Sequence, residues 1–191
     1  MNKYYLLESS CYVDYGITKS PKLGAESVFA GRLLKRDNLP PLIFEHNFPG
    51  NETIPGLLVD SAVLVSQFFV DTLKIANVDN FQIFPVTLIN PETNEERKDY
   101  FLFNVIGLMK VTNMERSDYD EIMPGNPETG MLPLVAFNKI VIDGKKTQDV
   151  SMFRLAEDPR SIIISESIVK ALKSNKPSGG WGVIIEELEL Y

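Results

Sequence analysis

The sequence is poor in the residues that most often bind metals and form disulfides. Its 191 residues include one cysteine and one histidine. A single cysteine excludes an intrachain disulfide framework and any multi-cysteine zinc or iron–sulfur site, and a single histidine excludes a histidine-rich metal centre. We therefore predict that the protein uses no metal and no other cofactor.

Basic residues are also few relative to acidic residues. The chain has 19 lysines and arginines against 26 aspartates and glutamates, which gives a net charge of −7. Binding to nucleic acid or to an anionic membrane surface needs clustered positive charge, so we expect neither partner. The composition leaves the oligomeric state open.

Long apolar runs are missing as well. The sequence has no run of 18 apolar residues, so no membrane-spanning helix is predicted. The apolar stretch at residues 4–7 ends at Glu8 and is shorter than the roughly 7–15 residues of a signal peptide. We therefore expect a cytoplasmic protein.

The residues that are present have the composition of a globular protein. Apolar residues make up 44% of the chain and charged residues 24%, which is close to the average for globular domains. A chain of this length can bury enough surface to fold without disulfides. We predict a single domain, residues 1–191, of the α+β class, with a mixed or antiparallel sheet packed by two short amphipathic helices.

Hydrophobic periodicity and turn residues place the secondary structure. Phe69, Leu73 and Ala76 recur at helical spacing, which predicts a helix over residues 66–76 with Ser66 as its N-cap. A second helix is predicted at 165–174, and a short one around 27–35. Strands are predicted at residues 3–7 with an extension at 11–15, 42–45, 81–88, 99–111, 134–142, 145–155, 162–164 and 181–190.

Two of these strands carry more detailed predictions. The segment 99–111 is apolar on both faces, which indicates a central strand, and the amide of Asn104 within it should find a buried partner. The pair Asp143-Gly144 is typical of a two-residue type I′ hairpin turn. That turn would set the following pairs: Ile142 opposite Lys145, and Phe137 opposite Val150.

One pattern occurs twice along the chain, at a constant offset of 99 residues. Residues 63–74 and 162–173 both consist of an apolar triplet, a serine and an amphipathic stretch that ends in lysine. Each segment then leads into an apolar strand. The pattern predicts a strand, a serine N-cap, a short helix and a strand, so packing explains it. An old duplication or a shared binding face are the other two interpretations.

The motifs of common enzymes are missing. The chain has no G-x-S-x-G nucleophile elbow and no phosphate-binding loop. His46 follows Glu45, which would suit a general base oriented by a carboxylate, but without a nucleophile partner a partly exposed loop histidine is the favoured interpretation. Cys11 could act as a nucleophile with His46 or serve as a small buried apolar residue. We predict that the protein is not an enzyme.

Two groups of carboxylates stand out from the rest of the charge pattern. We expect each group to lie on a loop, where it is either a solvated face or an acidic docking patch. Their candidate partner-binding residues are Glu92, Glu95 and Glu96 in the first group, and Asp118, Asp120 and Glu121, with the aromatic Tyr119 as an anchor, in the second.

A set of mainly apolar motifs occurs in order along the chain: YYLL at residues 4–7, DYFLFNVIGL at 99–108, ERSDY at 115–119, MFRL at 152–155, IIISE at 162–166 and GVII at 182–185. Taken in that order, these motifs resemble the bacterial immunity protein eleven family. The resemblance covers most of residues 57–188 and the N-terminal strand. Arg154 and Ser165 match recurrent positions of the family, which has no catalytic motif.

The resemblance implies that the partner is a cognate toxin protein. Members of the family protect a bacterium from a toxin of a polymorphic, often contact-delivered or type VI-secreted, system. Two other functions remain open: an adaptor or chaperone that docks an effector for secretion, and a small carboxylate-dependent hydrolase. The hydrolase would need acidic residues with raised pKa values that converge in one pocket.

Overall fold

The computed structural model describes residues 2–10, 14–24, 26–50, 52–126 and 128–191, so part of the predicted strand extension at 11–15 lies outside the described residues. The described chain contains helices α1 (Gln67–Ile75) and α2 (Glu166–Ser174) among many short strands, which confirms the α+β class. The strands are β1 (Tyr4–Ser9), β2 (Ile17–Lys19), β3 (Ile43–His46), β4 (Leu57–Val59), β5 (Val63–Ser66), β6 (Phe81–Pro85), β7 (Thr87–Asn90), β8 (Glu95–Arg97), β9 (Tyr100–Val105), β10 (Leu108–Met109), β11 (Asp118–Met123), β12 (Leu134–Lys139), β13 (Val141–Ile142), β14 (Met152–Leu155), β15 (Ile162–Ser165), β16 (Val183–Glu187) and β17 (Glu189–Leu190).

These strands form three larger sheets and two small ones. The first sheet has the order β4-β5-β9-β6 and the second has the order β10-β14-β15-β1-β16. The third sheet has the order β2-β3-β7-β8, in which β3 and β7 run parallel. Strands β11 and β12 form an antiparallel ribbon, and β13 pairs in parallel with β17. The three larger sheets are therefore mixed or antiparallel, as predicted.

Both predicted helices are present at nearly the predicted positions. Ser66 caps α1, because its side-chain oxygen accepts a hydrogen bond from the N–H of Phe69 at 3.2 Å. Phe69 and Leu73 are buried, which confirms the predicted apolar face. The hydroxyl of Ser165 before α2 instead shares a hydrogen bond with that of Ser167 at 2.8 Å.

The second sheet is covered by apolar side chains on both faces. Ile162 and Ile164 belong to a large cluster that includes residues of the first sheet and of both helices. Ile163 and Phe153 face the other way, into a smaller cluster shared with β13 and the C-terminal strands. This alternation explains why residues 162–164 have no polar side: neither face of the strand meets solvent.

The repeated pattern corresponds to two units with the same arrangement of strands. In the first unit β4, β5, β9 and β6 lie side by side, all antiparallel, and α1 follows β5. In the second unit β14, β15, β1 and β16 lie in the same order, again antiparallel, and α2 follows β15. Strand β1 thus occupies the position that β9 holds in the first unit. The units pack together symmetrically, since β1 contacts β4 and β9 contacts β14.

The two units also agree in register. In each unit the serine before the helix pairs with a buried tyrosine, and the first helical N–H donates to the carbonyl of the residue before that tyrosine. The matching pairs are Ser66 with Tyr100 and Ser165 with Tyr4, and the matching hydrogen bonds run from Gln67 to Asp99 and from Glu166 to Lys3. The echo therefore corresponds to the same strand, helix and partner-strand arrangement in both units, and the equivalence extends to strands outside the repeated segments.

The hairpin predicted at Asp143-Gly144 is wrong. Phe137 lies opposite Tyr119, and Ile142 pairs in parallel with Leu190. The predicted pairs, Phe137 with Val150 and Ile142 with Lys145, do not form. The segment before Asp143-Gly144 therefore pairs with strands that are distant in the sequence, β11 and β17, and this tertiary pairing overrides the local turn preference.

The backbone at Asp143-Gly144 forms a different turn from the predicted type I′ hairpin turn. A type I′ turn needs positive φ at both central residues, but Gly144 is not among the positive-φ residues. The side chain of Asp143 instead accepts a hydrogen bond from the N–H of Lys145 at 3.0 Å, which forms an Asx turn. Positive φ occurs later, at Gln148 and Asp149.

Two predicted strands are each divided between two sheets. The segment 81–88 breaks at Val86, after Pro85, so that β6 joins the first sheet and β7 the third. Proline lacks the N–H that would continue the ladder. The segment 99–111 breaks at Gly107, whose φ is +121°, and its two parts join the first and second sheets. Within β9 the amide of Asn104 donates to the carbonyl of Arg32 at 2.8 Å, which confirms its predicted buried partner.

The helix predicted around residues 27–35 is absent. Gly31 has φ +62°, and its carbonyl accepts a hydrogen bond from the N–H of Gly107 at 2.9 Å. The backbone of Leu34 is hydrogen-bonded in both directions to the side chain of Gln82. Because these backbone groups bind other elements, the segment forms an extended cover over β6 and β9 in place of a helix.

Candidate partner-binding surface

The second group of carboxylates lies on a projecting two-stranded ribbon. It was predicted to be a loop, but Asp118–Met123 form strand β11, and all six residues are exposed. Within the described part of the chain, β11 pairs only with β12, and the ring of Tyr119 packs edge-on against Phe137 with 6.0 Å between the ring centroids. Further out, Asn126 and Met131 exchange two backbone hydrogen bonds of 2.8 and 3.0 Å, which extends the ribbon beyond its regular strands.

The base of the ribbon is fixed to the rest of the protein. The N–H of Val135 in β12 donates to the carbonyl of Glu157 at 3.0 Å. Lys139 forms an ion pair of 2.7 Å with Glu189. The guanidinium of Arg116, just before β11, lies 4.0 Å from the ring centroid of Tyr191. The ribbon is therefore held along β12, while its other edge, β11, points away from these contacts.

The ribbon combines unpaired negative charge with exposed apolar surface. Among the described residues, no lysine or arginine forms an ion pair with Asp118, Asp120 or Glu121. Next to them Ile122 is 64% exposed, and Met123 and Met131 are each 46% exposed. Exposed apolar groups beside charged residues are typical of protein-binding surfaces. Sequence reasoning missed these three apolar residues, although Ile122 directly follows the acidic group in the chain.

The first group of carboxylates lies on a different element. Glu92 is in the turn after β7, where the side chain of Asn90 accepts hydrogen bonds from the N–H groups of residues 92 and 93. Glu95 and Glu96 belong to β8, the edge strand of the third sheet, and so are not on a loop as predicted. Glu96 lies 3.6 Å from Lys98. Among the described residues, no hydrogen bond or ion pair joins this hairpin to the ribbon.

A charged side chain that is fully buried lies under the connection between β14 and β15. One guanidinium nitrogen of Arg154 donates to the carbonyls of Pro159 and Arg160 at 2.8 and 3.3 Å. Its Cζ lies 5.2 Å from the ring centroid of Phe29. The other two nitrogens of Arg154 have no hydrogen-bond partner within the described residues. Burial lowers the pKa of Arg154 to about 10. Through its two hydrogen bonds, Arg154 fixes the backbone of the segment that connects β14 to β15.

The single histidine is placed as a structural residue. His46 is buried, and its Nδ1 accepts a hydrogen bond from the N–H of Phe48 at 3.1 Å. Burial lowers the pKa of His46, so the neutral ring is favoured near pH 7. The carboxylate of Glu45 accepts from Lys19 at 2.6 Å and does not orient His46. The other candidate nucleophile, Cys11, lies outside the described residues.

An open cleft lies where the two units meet. It has a volume of about 420 Å³, and its polar lining includes Glu8, Asp60, Asp158 and Arg160. Burial raises the pKa of the Glu157 carboxyl, but Glu157 does not line this cleft. Its carboxyl accepts a hydrogen bond from the hydroxyl of Thr112 at 3.2 Å. Within the described residues, no group of three or more potential metal ligands is found.

Comparison with known protein families gives a match that covers most of the chain. The model of the immunity protein family Imm11 matches residues 40–182. The chain belongs to the Imm11 immunity protein family. The Imm11 match includes the ribbon, the β7–β8 hairpin and Arg154, while β1 and β16 of the second unit lie outside it. No curated protein matches this Imm11 chain. No helix in the described part of the chain is long and apolar enough to cross a membrane.

Proposed function

We propose that this Imm11 protein binds a cognate bacterial toxin in the cytoplasm and holds it inactive, which protects the producing cell and its siblings. The observation that carries the proposal is the ribbon, because it places three unpaired carboxylates beside exposed apolar side chains on a projecting element. The toxin belongs to a polymorphic, contact-delivered or type VI-secreted system. The immunity protein acts by binding and not by catalysis.

Charge supports this role when the toxin acts on nucleic acid. An enzyme that binds phosphates needs a basic site. An immunity protein with a net charge of −7 is attracted to such a site, and its carboxylates can occupy the places of phosphates. Asp118, Asp120 and Glu121 provide that charge on one strand. Tyr119 and Ile122 provide the apolar and aromatic anchors that dominate most interfaces.

The β7–β8 hairpin has a secondary role in this proposal. Glu92, Glu95 and Glu96 add to the negative field that steers the toxin, but the hairpin carries no exposed apolar group like those of the ribbon. Rim charges mainly change the association rate and its dependence on salt. A stable complex should bury about 1,600 Å² in total, and we expect surface beside the ribbon to contribute to it.

Charge reversal on the two elements tests this assignment. The triple variant Asp118→Lys, Asp120→Lys and Glu121→Lys is compared with the matched triple variant Glu92→Lys, Glu95→Lys and Glu96→Lys. Both variants change the net charge equally. Binding of the purified toxin domain encoded by the neighbouring gene is measured at low and moderate salt. The ribbon variant should lose most of its affinity at both salt concentrations, and the hairpin variant should mainly slow association at low salt. If neither variant changes affinity or rate, the surface assignment is wrong.

A growth assay separates immunity from the adaptor interpretation. The toxin domain is expressed in a host with and without this protein, in the absence of any secretion system. An immunity protein should restore growth, whereas an adaptor that only docks an effector should not. The protein's role in immunity is refuted if the toxin domain neither binds the protein nor is neutralised by it.

A further inference from the structure

The outer edge of β11 carries backbone groups that no strand of the described residues pairs with. Strand β11 is six residues long, is exposed throughout, and has β12 as its neighbour in the sheet. Several other edges are less available. Strands β2, β4 and β8 have three residues each, and the edge of β6 is covered where Gln82 binds the backbone of Leu34. An exposed strand edge is a template for a further strand.

The hydrogen bonds of β12 show which groups of β11 face outwards. The N–H of Val135 donates to Glu157, on the side of β12 away from β11. Val135 lies opposite Glu121, so this is a pair without mutual hydrogen bonds, and the N–H and C=O of Glu121 point to the free edge. Because hydrogen-bonded and non-hydrogen-bonded pairs alternate along the ladder, the backbone N–H and C=O of Tyr119 also point to the free edge, whereas those of Asp120 bond to the backbone of Ala136. Two residues of the regular ladder therefore offer a donor and an acceptor each.

The charges on the strand select the kind of chain that can pair here. If the β11 strands of two copies of this chain paired, the carboxylates of Asp118, Asp120 and Glu121 in one copy would lie close to those in the other. Like charges on adjacent strands destabilise such a pair. A strand with lysine or arginine side chains would instead place opposite charges side by side. The irregular registers at both ends of β11 further limit pairing to its central residues.

We propose that a basic, extended segment of the toxin adds to the free edge of β11 as a third strand of the ribbon. This inference rests on the proposed function and specifies how the ribbon recognises its partner. Main-chain hydrogen bonds to Tyr119 and Glu121 provide affinity, and the carboxylates provide selectivity for basic side chains. A second copy of this chain is the alternative occupant, and the charge pattern opposes it.

A pair of variants at one position isolates the backbone contribution. Glu121→Gln removes the charge and keeps the outward N–H, whereas Glu121→Pro removes both. Proline is tolerated at the free edge of an edge strand, and the bonds from Asp120 to β12 remain. With the toxin domain encoded by the neighbouring gene as the probe, the proline variant should bind about tenfold or more weakly than the glutamine variant, because a partner carbonyl is left unpaired. Equal affinity of the two variants overturns the inference.

Amide hydrogen exchange tests the same geometry without a substitution. In the free protein the amides of Tyr119 and Glu121 should exchange faster than that of Asp120. In the complex with the toxin domain both should become protected. The inference is overturned if they exchange as fast in the complex as in the free protein, or if they are already protected in a homodimer. If the unaltered protein does not bind the toxin domain, the proposed function fails first, and this inference fails with it.

Discussion

Replacement of the buried Arg154 by methionine should leave the stability of the protein nearly unchanged. Arg154 is fully buried in β14, and only one of its three nitrogens donates hydrogen bonds. A buried charge without an ionic partner is costly, and replacement of buried ionic groups by apolar ones of similar volume is often neutral or stabilising. Methionine keeps the length of the side chain and removes the charge.

The size of the effect follows from opposing contributions. Burial lowers the pKa of Arg154 from 12.5 to about 10, which corresponds to a cost on the order of 3 kcal/mol for the charged form in the folded state. Two hydrogen bonds to carbonyls and the contact with Phe29 are lost in the variant, and these are each worth roughly 1 kcal/mol. The two sums are about equal, so the net change in the free energy of unfolding should lie close to zero, within about 1 kcal/mol. Alanine at the same position leaves a cavity and should cost about 2–4 kcal/mol.

Urea unfolding at neutral pH measures the free energy of unfolding of both variants and of the unaltered protein. The two variants lose the same hydrogen bonds, so the difference between them reports packing alone. A loss of more than about 2 kcal/mol in the Arg154→Met variant, equal to that of Arg154→Ala, would refute the reasoning. It would mean that the bonds to the β14–β15 connection outweigh the desolvation of the guanidinium.

Three further predictions concern stability. Burial raises the pKa of Glu157, so its contribution to stability is complete below the unfolded pKa and is lost as pH rises through the folded pKa. The variant Glu157→Gln can keep the hydrogen bond from Thr112 and carries no charge. It should therefore stabilise the protein at pH 7 but not at pH 4, as measured by thermal unfolding at both pH values. Ser66→Ala should lower the free energy of unfolding by about 1 kcal/mol, because it removes the hydrogen bond that caps the N–H of Phe69. Ser165→Ala removes no cap hydrogen bond and should cost less. Equal losses of stability in urea unfolding would contradict this. If residues 1–191 form one domain, calorimetry should show a single transition with equal calorimetric and van't Hoff enthalpies, and two separate transitions would contradict this.

Local signals in the sequence were sufficient to place the helices and several strands. A serine before an apolar stripe located α1 and α2 to within one residue at each end, because a short helix depends on one buried face and α1 also has its cap at Ser66. The strands around residues 4–7, 43–45 and 162–164 were also found. In each case the local pattern and the tertiary environment favour the same structure.

The failed predictions all involve competition between local preference and distant partners. Asp143-Gly144 has the composition of a hairpin turn, but β12 pairs with β11 and β13 pairs with β17. The division of residues 81–88 and 99–111 between sheets also depends on neighbours that are far away in the sequence. The sequence identified the two acidic groups as candidate binding residues. It could not show that they lie on edge strands, because β11 has neither a buried face nor a clear alternation of apolar residues.

The position of β1 has a consequence for the order in which the two units can form during synthesis. The strands of the first unit lie between residues 57 and 105, so its sheet can close while the ribosome is still making the rest of the chain. Strand β1 precedes the first unit in the chain, yet its partners among the described residues are β15 and β16, which both follow that unit. Until these strands are made, Tyr4 and Leu7 lack their partners, and closing so long a loop is slow. The period of synthesis is therefore when this protein is most exposed to misassembly and most dependent on chaperones.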